Sequence, residues 1–385
     1  MKKILFTLHR MDVGGVEKAF LGMLESLPHD DLEVHAAFIA PEGGFMKYLP
    51  SWVHVHPITP YYDNVPFMNR PLGTTFRRIM RGDLSGLRMF AEFVKSKFTG
   101  SKDSLCRFML RNDDALGMEF DLAVNYSAPH EYLDYYVGHH VKARRRATWI
   151  HFDVSKAYVN KKSVLSNISR SDCIFIVSDL GRQIFNKRFP SLASKTVTFT
   201  NLISPESIKR DSLKPSGFKR IEGALNIVTV GRINPEKGQD LAIAAVALLN
   251  EMGIKAVLHL VGAGRNESAC LRLAYEMGIK DFVRFYGSQT NPYPYMANAD
   301  IYLQPSIHEG YCITLAEAKM FGAPIVATDF TGAREQLSSR PNAVIASDFT
   351  PEAIAGAIAK ASKLPRCESL MPEPTDNMKS FLELL

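Results

Sequence analysis

The sequence predicts an α/β protein built from two doubly wound domains, and three observations predict it. An apolar strand at residues 3–8 runs to the corner Gly14-Gly15 and on into a helical stretch, Val16 to Leu27, that Pro28 stops. The same succession restarts in the second half, where strand Asn226 to Val230 turns at Gly231 into a helix from about Gly238 to Asn250. A chain of 385 residues is long enough for two such domains, each burying its own core.

With 46% apolar and 22% charged residues, the composition is that of an ordinary globular protein and argues against disorder. No run approaches the ~18 apolar residues of a membrane span. Met1-Lys2-Lys3 leads into a strand rather than a signal peptide, so a cytoplasmic location is expected. Cys106, Cys173, Cys270, Cys312 and Cys367 form no C-x-x-C pair and read as reduced thiols. The net charge of +6 is mild, so the placement of the bases matters more than their number.

Taken in order, the glycines Gly14-Gly15 either let backbone approach a phosphate or an acceptor or simply make a tight turn, and spacing alone does not separate the two. Glu33 to Ile39 is the second strand. Residues 61–111 then break the rhythm as a basic, amphipathic insertion, with Arg70, Arg77, Arg78, Arg81 and Arg88 interleaved with Phe76, Met80, Leu84 and Leu87. Such a segment either packs its apolar stripe on the domain or lies on an anionic membrane, which would make the protein peripheral at the inner membrane face. It carries no nucleic-acid motif, and no nucleic-acid partner is expected. Leu122–Asn125 and Ala147–His151 read as parallel strands, and His151 falls at a strand's C-terminal edge, where open α/β sheets place ligands. A lone histidine is nevertheless more often structural than catalytic. Strands at Cys173–Val177 and Thr196–Thr200 complete the first domain, residues 1–205.

Residues 206–220, polar and without period, are the candidate linker, and the second domain is expected over 221–370. Leu258 to Val261 is a strand ending at Gly262 and Gly264, and Val283 to Gly287 is another. The glycine run superficially resembles a dinucleotide fingerprint, but Glu267 stands where the third glycine belongs. Residues 371–385 read as a C-terminal helix that can cross back to the first domain.

The centre of the second half is His308-Glu309-Gly310-Tyr311-Cys312-Ile313-Thr314-Leu315-Ala316-Glu317, following the β-favouring run Ile301 to Gln304 and preceding a helix that Gly322 closes. A strand delivering a glycine-containing loop to a helix start presents unpaired amides to an anion, and phosphate is the natural guest. The two acids offer paired acceptors to sugar hydroxyls. Arg232 and Lys237 flank the Gly231 turn, where a guanidinium fork and a compact ammonium suit a diphosphate.

Glu309 and Glu317, seven residues apart, with Ser306 before them and Gly322 to Thr328 after, resemble the E-x7-E signature of glycosyltransferase family 4. Val230 to Gly238 resembles the G-R-x-x-x-x-K-G element of the same family, and Gly14-Gly15-Val16-Glu17 its Gly-Gly-x-Glu loop. The resemblance implies a GT-B fold, two Rossmann-like domains facing an interdomain cleft, with the acceptor on the first and a nucleotide diphospho-sugar on the second. It implies catalytic roles for Glu309, His151, Arg232 and Lys237, and a donor site made by Gly15, Arg232, Lys237, Gly262, Gly264, Tyr286, Glu309, Gly310, Tyr311, Cys312, Ile313, Thr314 and Glu317. In it Glu317 would hold the ribose and Glu309 the transferred hexose. Gly14, Gly15 and Glu17 would lie on the acceptor side. Phe152 interrupts the His-Asp pair common in the family, which separates Asp153 from its usual position. No cofactor and no metal are expected: there is no Asp-x-Asp, and neither His54-x-His56 nor His139-His140 has a third ligand.

The reaction implied is retaining transfer of a hexosyl unit, from a UDP-linked donor in preference to a GDP-linked one, to a hydroxyl of a glycan or lipid-linked acceptor in bacterial surface polysaccharide synthesis. Two rivals share the layout. A sugar-nucleotide epimerase would need acid/base residues at the sugar ring, and a non-catalytic nucleotide-binding scaffold would have no need of intact Glu309, Glu317, Arg232 and Lys237.

Overall fold

The computed structural model describes residues 1–58, 70–156, 159–368 and 377–385. The chain divides into two compact units, one made of Met1–Asp12, Met23–Thr200 and Asp376–Leu385, the other of Val13–Gly22 and Asn201–Thr375.

The first unit holds a seven-stranded sheet, β1 (Lys2–Leu8), β2 (Leu32–Phe38), β3 (His54–Pro57), β4 (Phe120–Ala128), β5 (Ala143–Ile150), β6 (Cys173–Ile176) and β7 (Thr196–Thr198). Its order is β3-β2-β1-β4-β5-β6-β7 and every pairing is parallel, with Leu5 beside His35 and Phe6 beside Val124. Strands β1, β2, β4 and β6 are buried over most of their length on both faces, as a sheet covered on each side requires. The sequence reading missed β3: His54-Val55-His56-Pro57 has too little apolar character to register, and it survives as an exposed edge that Pro57 ends.

At the heart of this unit Trp149 is fully buried, with Tyr126 and Phe175 each 4.8 Å away and Phe199 4.4 Å away between ring centroids. The C-terminal helix Asn377–Leu382 completes this cluster. Its Phe381 stacks on Phe6 at 6.0 Å, and Asn377 Nδ2 donates to the Thr200 hydroxyl at 2.8 Å. The rest of the stretch read as a helix, residues 371–376, lies outside the described residues.

The insertion at 61–111 contains helices Pro71–Met80, Ser85–Thr99 and Asp103–Met109, and its residues 61–69 lie outside the described ones. Among the described residues no helix is long and apolar enough to cross a membrane.

The second unit holds a six-stranded, all-parallel sheet: β8 (Leu225–Val230), β9 (Ala256–Val261), β10 (Val283–Phe285), β11 (Ile301–Gln304), β12 (Ile325–Ala327) and β13 (Ala343–Ile345), in the order β10-β9-β8-β11-β12-β13. Helix Gln239–Glu251 covers one face by burying Ala242, Ile243, Val246 and Leu249, the spacing of a helical stripe. Residues Pro205–Ser212, inside the polar stretch read as linker, form a helix. Ser204 caps it by accepting from the Ser207 amide, Pro205 starts it, and Ile208 alone anchors it in the core. One anchored residue leaves no period to read.

Candidate functional site

Strand β11 delivers the chain to the centre of the second unit, and its last residue begins a chain of hydrogen bonds. Tyr302 Oη donates to Gln304 Oε1 at 2.7 Å, Gln304 Nε2 to Ser306 Oγ at 2.8 Å, and Ser306 Oγ to Glu309 Oε1 at 2.7 Å. Thr314 Oγ1 also donates to Gln304 Oε1, at 3.2 Å. Gln304 and Ser306 are wholly buried, so these bonds satisfy groups that would otherwise be costly to desolvate, and they fix one face of the Glu309 carboxylate. The other oxygen, Oε2, accepts from Lys237 Nζ at 2.7 Å.

Lys237 comes from the turn after β8. The carbonyl of its neighbour Glu236 accepts from the amides of Ile307, at 2.9 Å, and His308, at 3.3 Å, which ties that turn to the loop before Glu309. Gly238 closes the turn at φ 67°, where a Cβ would lie 2.1 Å from the Pro305 carbonyl oxygen, so only glycine lets the two loops meet. Burial works against the Lys237 charge, but attraction to Glu309 and Cys312 prevails and holds its pKa above the ordinary value. Arg232, exposed, is close enough to act on Lys237 as a second positive charge.

Gly262 and Gly264 end β9 against the same turn. A Cβ on Gly262 would fall 1.9 Å from the Gly231 carbonyl oxygen and one on Gly264 2.2 Å from that of Ile233. These glycines thus make the close packing of the two corners possible. Tyr286 Oη lies 3.0 Å from His259 Nδ1 and accepts from the Lys219 amide at 3.4 Å, and its ring packs beside Tyr295.

Glu317 is buried in helix Ile313–Ala318, where Tyr293 Oη donates to its Oε1 at 2.7 Å. Burial raises its pKa, opposed by the Lys18 ammonium and the Tyr293 hydroxyl. Lys18 lies over the Tyr293 ring, 5.0 Å from its centroid, and with Gly14, Gly15 and Glu17 it belongs to the Val13–Gly22 segment of this unit. Both glutamates act on the buried Tyr302 hydroxyl, so the two carboxylates occupy one neighbourhood. Cys312 enters the helix at φ 59°, a left-handed conformation costing about 1–3 kcal/mol for a side-chain-bearing residue. The loop Gly310-Tyr311-Cys312 is held by Gln336, whose Nε2 donates to the Tyr311 carbonyl. Gly15 begins its helix exposed, with nothing within 4 Å of where a Cβ would stand. Sequence reasoning missed Gln304, Tyr293 and Lys18. Gln304 alone carried a signal, as a polar residue ending an otherwise apolar strand.

In the first unit His151 follows β5, as read from the sequence. Its ring lies 4.7 Å from that of Tyr126, and neither nitrogen makes a hydrogen bond of normal geometry. Burial lowers its pKa to about 3, partly offset by the Tyr126 backbone, so the ring is neutral at physiological pH. Asp153 Oδ1 accepts from the Ser155 amide at 2.8 Å and hydroxyl at 2.7 Å, a turn-forming role. His56 Nε2 meets His35 Nδ1 at 2.9 Å, and among the described residues no group of three or more His, Cys, Asp or Glu is arranged to hold a metal ion. A cavity of about 280 Å³ opens beyond β4, lined by Lys102, Cys106, His130, Glu131, Asp134 and Asn160 among others. Burial pushes the Asp134 carboxyl up to about 8, and Asn125 Nδ2 donates to its Oδ1 at 2.6 Å.

Two all-parallel sheets flanked by helices define the architecture, and the whole chain superposes on that of another protein. Against the crystal structure of HepE from Anabaena in complex with UDP and glucose, the TM-score is 0.65 at 17% identity, covering 100% of this chain and 99% of that one. At that identity the likeness is one of fold, and the fold is GT-B, as the sequence predicts. Residues 215–377, most of the second unit, match the family model of glycosyl transferases group 1. Over 217 residues the chain is 26% identical to the GDP-mannose-dependent alpha-(1-6)-phosphatidylinositol monomannoside mannosyltransferase of Mycobacterium tuberculosis, covering 52% of this chain and 55% of that one. Over 132 residues it is 29% identical to the lipopolysaccharide core biosynthesis glycosyltransferase LpsE of Rhizobium meliloti, covering 34% and 38%. The chain thus spans about half the length, or less, of these curated relatives.

Proposed function

We propose that the protein is a retaining glycosyltransferase of family 4 that moves a hexosyl unit from a nucleotide diphospho-sugar to a hydroxyl of a glycan or lipid-linked acceptor in surface polysaccharide synthesis. The observation that carries this reading is the group formed by Lys237, Glu309 and Ser306, with Glu317 and Tyr293 in the same neighbourhood. Two cations and two fixed carboxylates suit a ligand with a charged diphosphate between two hydroxyl-bearing sugars. Names of relatives supply the context: one transfers mannose to a lipid-borne acceptor, another works in lipopolysaccharide core synthesis.

In the proposed reaction the acceptor hydroxyl attacks the anomeric carbon on the face from which the diphosphate departs. The bond from that carbon to the phosphate oxygen breaks, the new carbon–oxygen bond forms, and the hydroxyl proton passes to the leaving phosphate. Arg232 and Lys237 stabilise the departing charge, so a divalent metal has no necessary part. Glu309, oriented by Ser306 and Lys237, holds the transferred sugar, and Glu317, oriented by Tyr293, the ribose. By the family resemblance His151, neutral at physiological pH, takes part in the reaction, and the loop Gly14-Gly15-Val16-Glu17 lies on the acceptor side. The reaction would be cytoplasmic.

A UDP-sugar is the favoured donor: HepE was solved with UDP, although the mycobacterial relative uses GDP-mannose. Melting curves with UDP, GDP and ADP test the base, because a ligand that binds only the folded state stabilises it by about 2.7 kcal/mol at a hundredfold excess over Kd. Turnover of UDP-glucose with the wild type and with Glu309→Ala, each in EDTA, tests the reaction. Full activity in Glu309→Ala contradicts it, and conversion of donor alone to an isomer favours an epimerase.

A further inference from the structure

The cavity beyond β4 changes character from its mouth to its inner end. At the mouth Lys102 Nζ pairs with Glu131 Oε2, and Asn160 Nδ2 donates to Glu131 Oε1 at 2.6 Å. Side-chain exposures of 40% for Lys102 and 22% for Glu131 keep that ion pair in contact with water. The inner wall is apolar and buried, formed by Leu105, Cys106, Met109 and Val164. One polar group interrupts it, the carboxyl of Asp134, a residue only 4% exposed. Its Oδ1 accepts from Asn125 Nδ2, while the buried Oδ2 makes no hydrogen bond among the described residues. A desolvated carboxyl oxygen without a partner is costly, and a ligand that pairs with it recovers that cost.

Charge narrows what that ligand is. Asp134 is faced by His130 and Glu131 beside it in the chain, by Asn125 from β4, and by Lys102 and Cys106 at and within the helix Asp103–Met109. Lys102 and Glu131 neutralise each other, and burial keeps the His130 ring and the Cys106 thiol uncharged. Burial also pushes the Asp134 carboxyl up to about 8, so near neutral pH it is protonated. With Oδ1 accepting from Asn125, the proton sits on Oδ2 as a donor inside an electroneutral cavity. We propose that this cavity binds one N-acetylated sugar ring, its acetamido carbonyl accepting from Asp134 Oδ2 and its methyl lying on Leu105 and Met109. Ring hydroxyls at the mouth then donate to Glu131 and accept from Lys102. An acetamido group sets a strong acceptor beside a methyl, as the inner end requires. A plain hydroxyl leaves the apolar wall uncovered, and a charged group would enter without a counterion. The cavity's volume of about 280 Å³ is just below the roughly 300–1,000 Å³ of small-molecule sites, which suits a single ring. The site lies wholly in the first unit and does not involve the donor loop of the second.

The test is saturation-transfer NMR on the full chain with N-acetylglucosamine, N-acetylgalactosamine, N-acetylmannosamine and glucose. At least one N-acetylated sugar is expected to bind, with the strongest transfer at its acetyl methyl, and glucose to bind about tenfold more weakly or not at all. Asp134→Leu lowers the affinity about tenfold, whereas Asp134→Asn, which still donates, binds as the wild type does. Wild-type binding weakens above about pH 8, where a carboxylate meets the carbonyl, and that of Asp134→Asn does not. The methyl glycoside of the bound sugar separates two sources of the same ring: undiminished binding assigns the site to the end of a glycan, lost binding to the free sugar, and either supports it. No binding by any of the three, equal binding of glucose, or a folded Asp134→Leu that binds as the wild type does overturns the proposal. So does wild-type binding that stays flat from about pH 6 to about pH 9, an arm that needs no variant to fold.

Discussion

Changing Glu309 to Gln keeps the shape of the side chain and the Ser306 hydrogen bond but removes the charge that faces Lys237. In the wild type that pair is 2.7 Å apart, with side-chain exposures of 20% for Lys237 and 10% for Glu309. Taking away one partner of a buried pair costs about 3–5 kcal/mol, because the other is left charged and desolvated. With this residual exposure the lower end, about 3 kcal/mol, is expected. Lys237→Met should cost a similar amount by stranding the carboxylate. In Lys237→Met/Glu309→Gln no charge is stranded, so the double variant should recover about 2–3 kcal/mol of the summed losses.

Urea unfolding followed by far-ultraviolet circular dichroism reads the second unit. Both tryptophans, Trp52 and Trp149, lie in the first unit, so their fluorescence serves as an internal reference. A pH arm separates charge from packing. Without Glu309, burial and the Arg232 charge oppose only the attraction to Cys312, and the folded pKa of Lys237 is expected to fall below the unfolded value of about 10.4. The unfolded state then binds more protons, so the stability of Glu309→Gln climbs as pH rises through that window, relative to wild type. Additive losses in the double variant, or a flat difference between pH 7 and about pH 10, would refute the reasoning.

Phe381→Ala should destabilise the first unit by about 3–5 kcal/mol, seen as an earlier tryptophan-fluorescence transition, because the ring fills the cluster around Phe6 and Trp149. Asp134 has a folded pKa raised to about 8 by burial, so the native state holds more protons than the unfolded one above pH ~4. Wild-type stability should therefore fall relative to Asp134→Asn as pH rises from about 5 to 8, by at most about 1.4 kcal/mol per pH unit, and parallel melting curves would contradict that assignment. Gly262→Ala places a methyl 1.9 Å from a carbonyl oxygen and should lose nucleotide binding together with the second unit's stability, measured by calorimetry. Gly15→Ala, with open space around it, should stay within about 0.5 kcal/mol of wild type in the same measurement.

Strands β1, β8 and β9, the glycine corners that end β8 and β9, and the helices after β1 and β8 were legible in the amino-acid sequence because each is a local pattern. Apolar runs, glycines and the period of a helix are set by neighbours within a few residues. The residue types of the site were legible in the same way, since Arg232 and Lys237 lie at a fixed spacing in the turn after β8, and Glu309 and Glu317 at a fixed spacing in the loop after β11 and the helix that follows it. Their pairing was not. Lys237 and Glu309 are 72 positions apart, and their contact depends on β8 and β11 being neighbours in the sheet. The same holds for Tyr293 on Glu317 and for Phe381 against Phe6. The helix Pro71–Met80 makes the point most sharply. Its sequence shows an apolar stripe and says nothing about which way the stripe faces. Tertiary packing turned Thr75 inward and left Phe76 outside, because burial is decided by what the other elements leave uncovered and not by the segment itself.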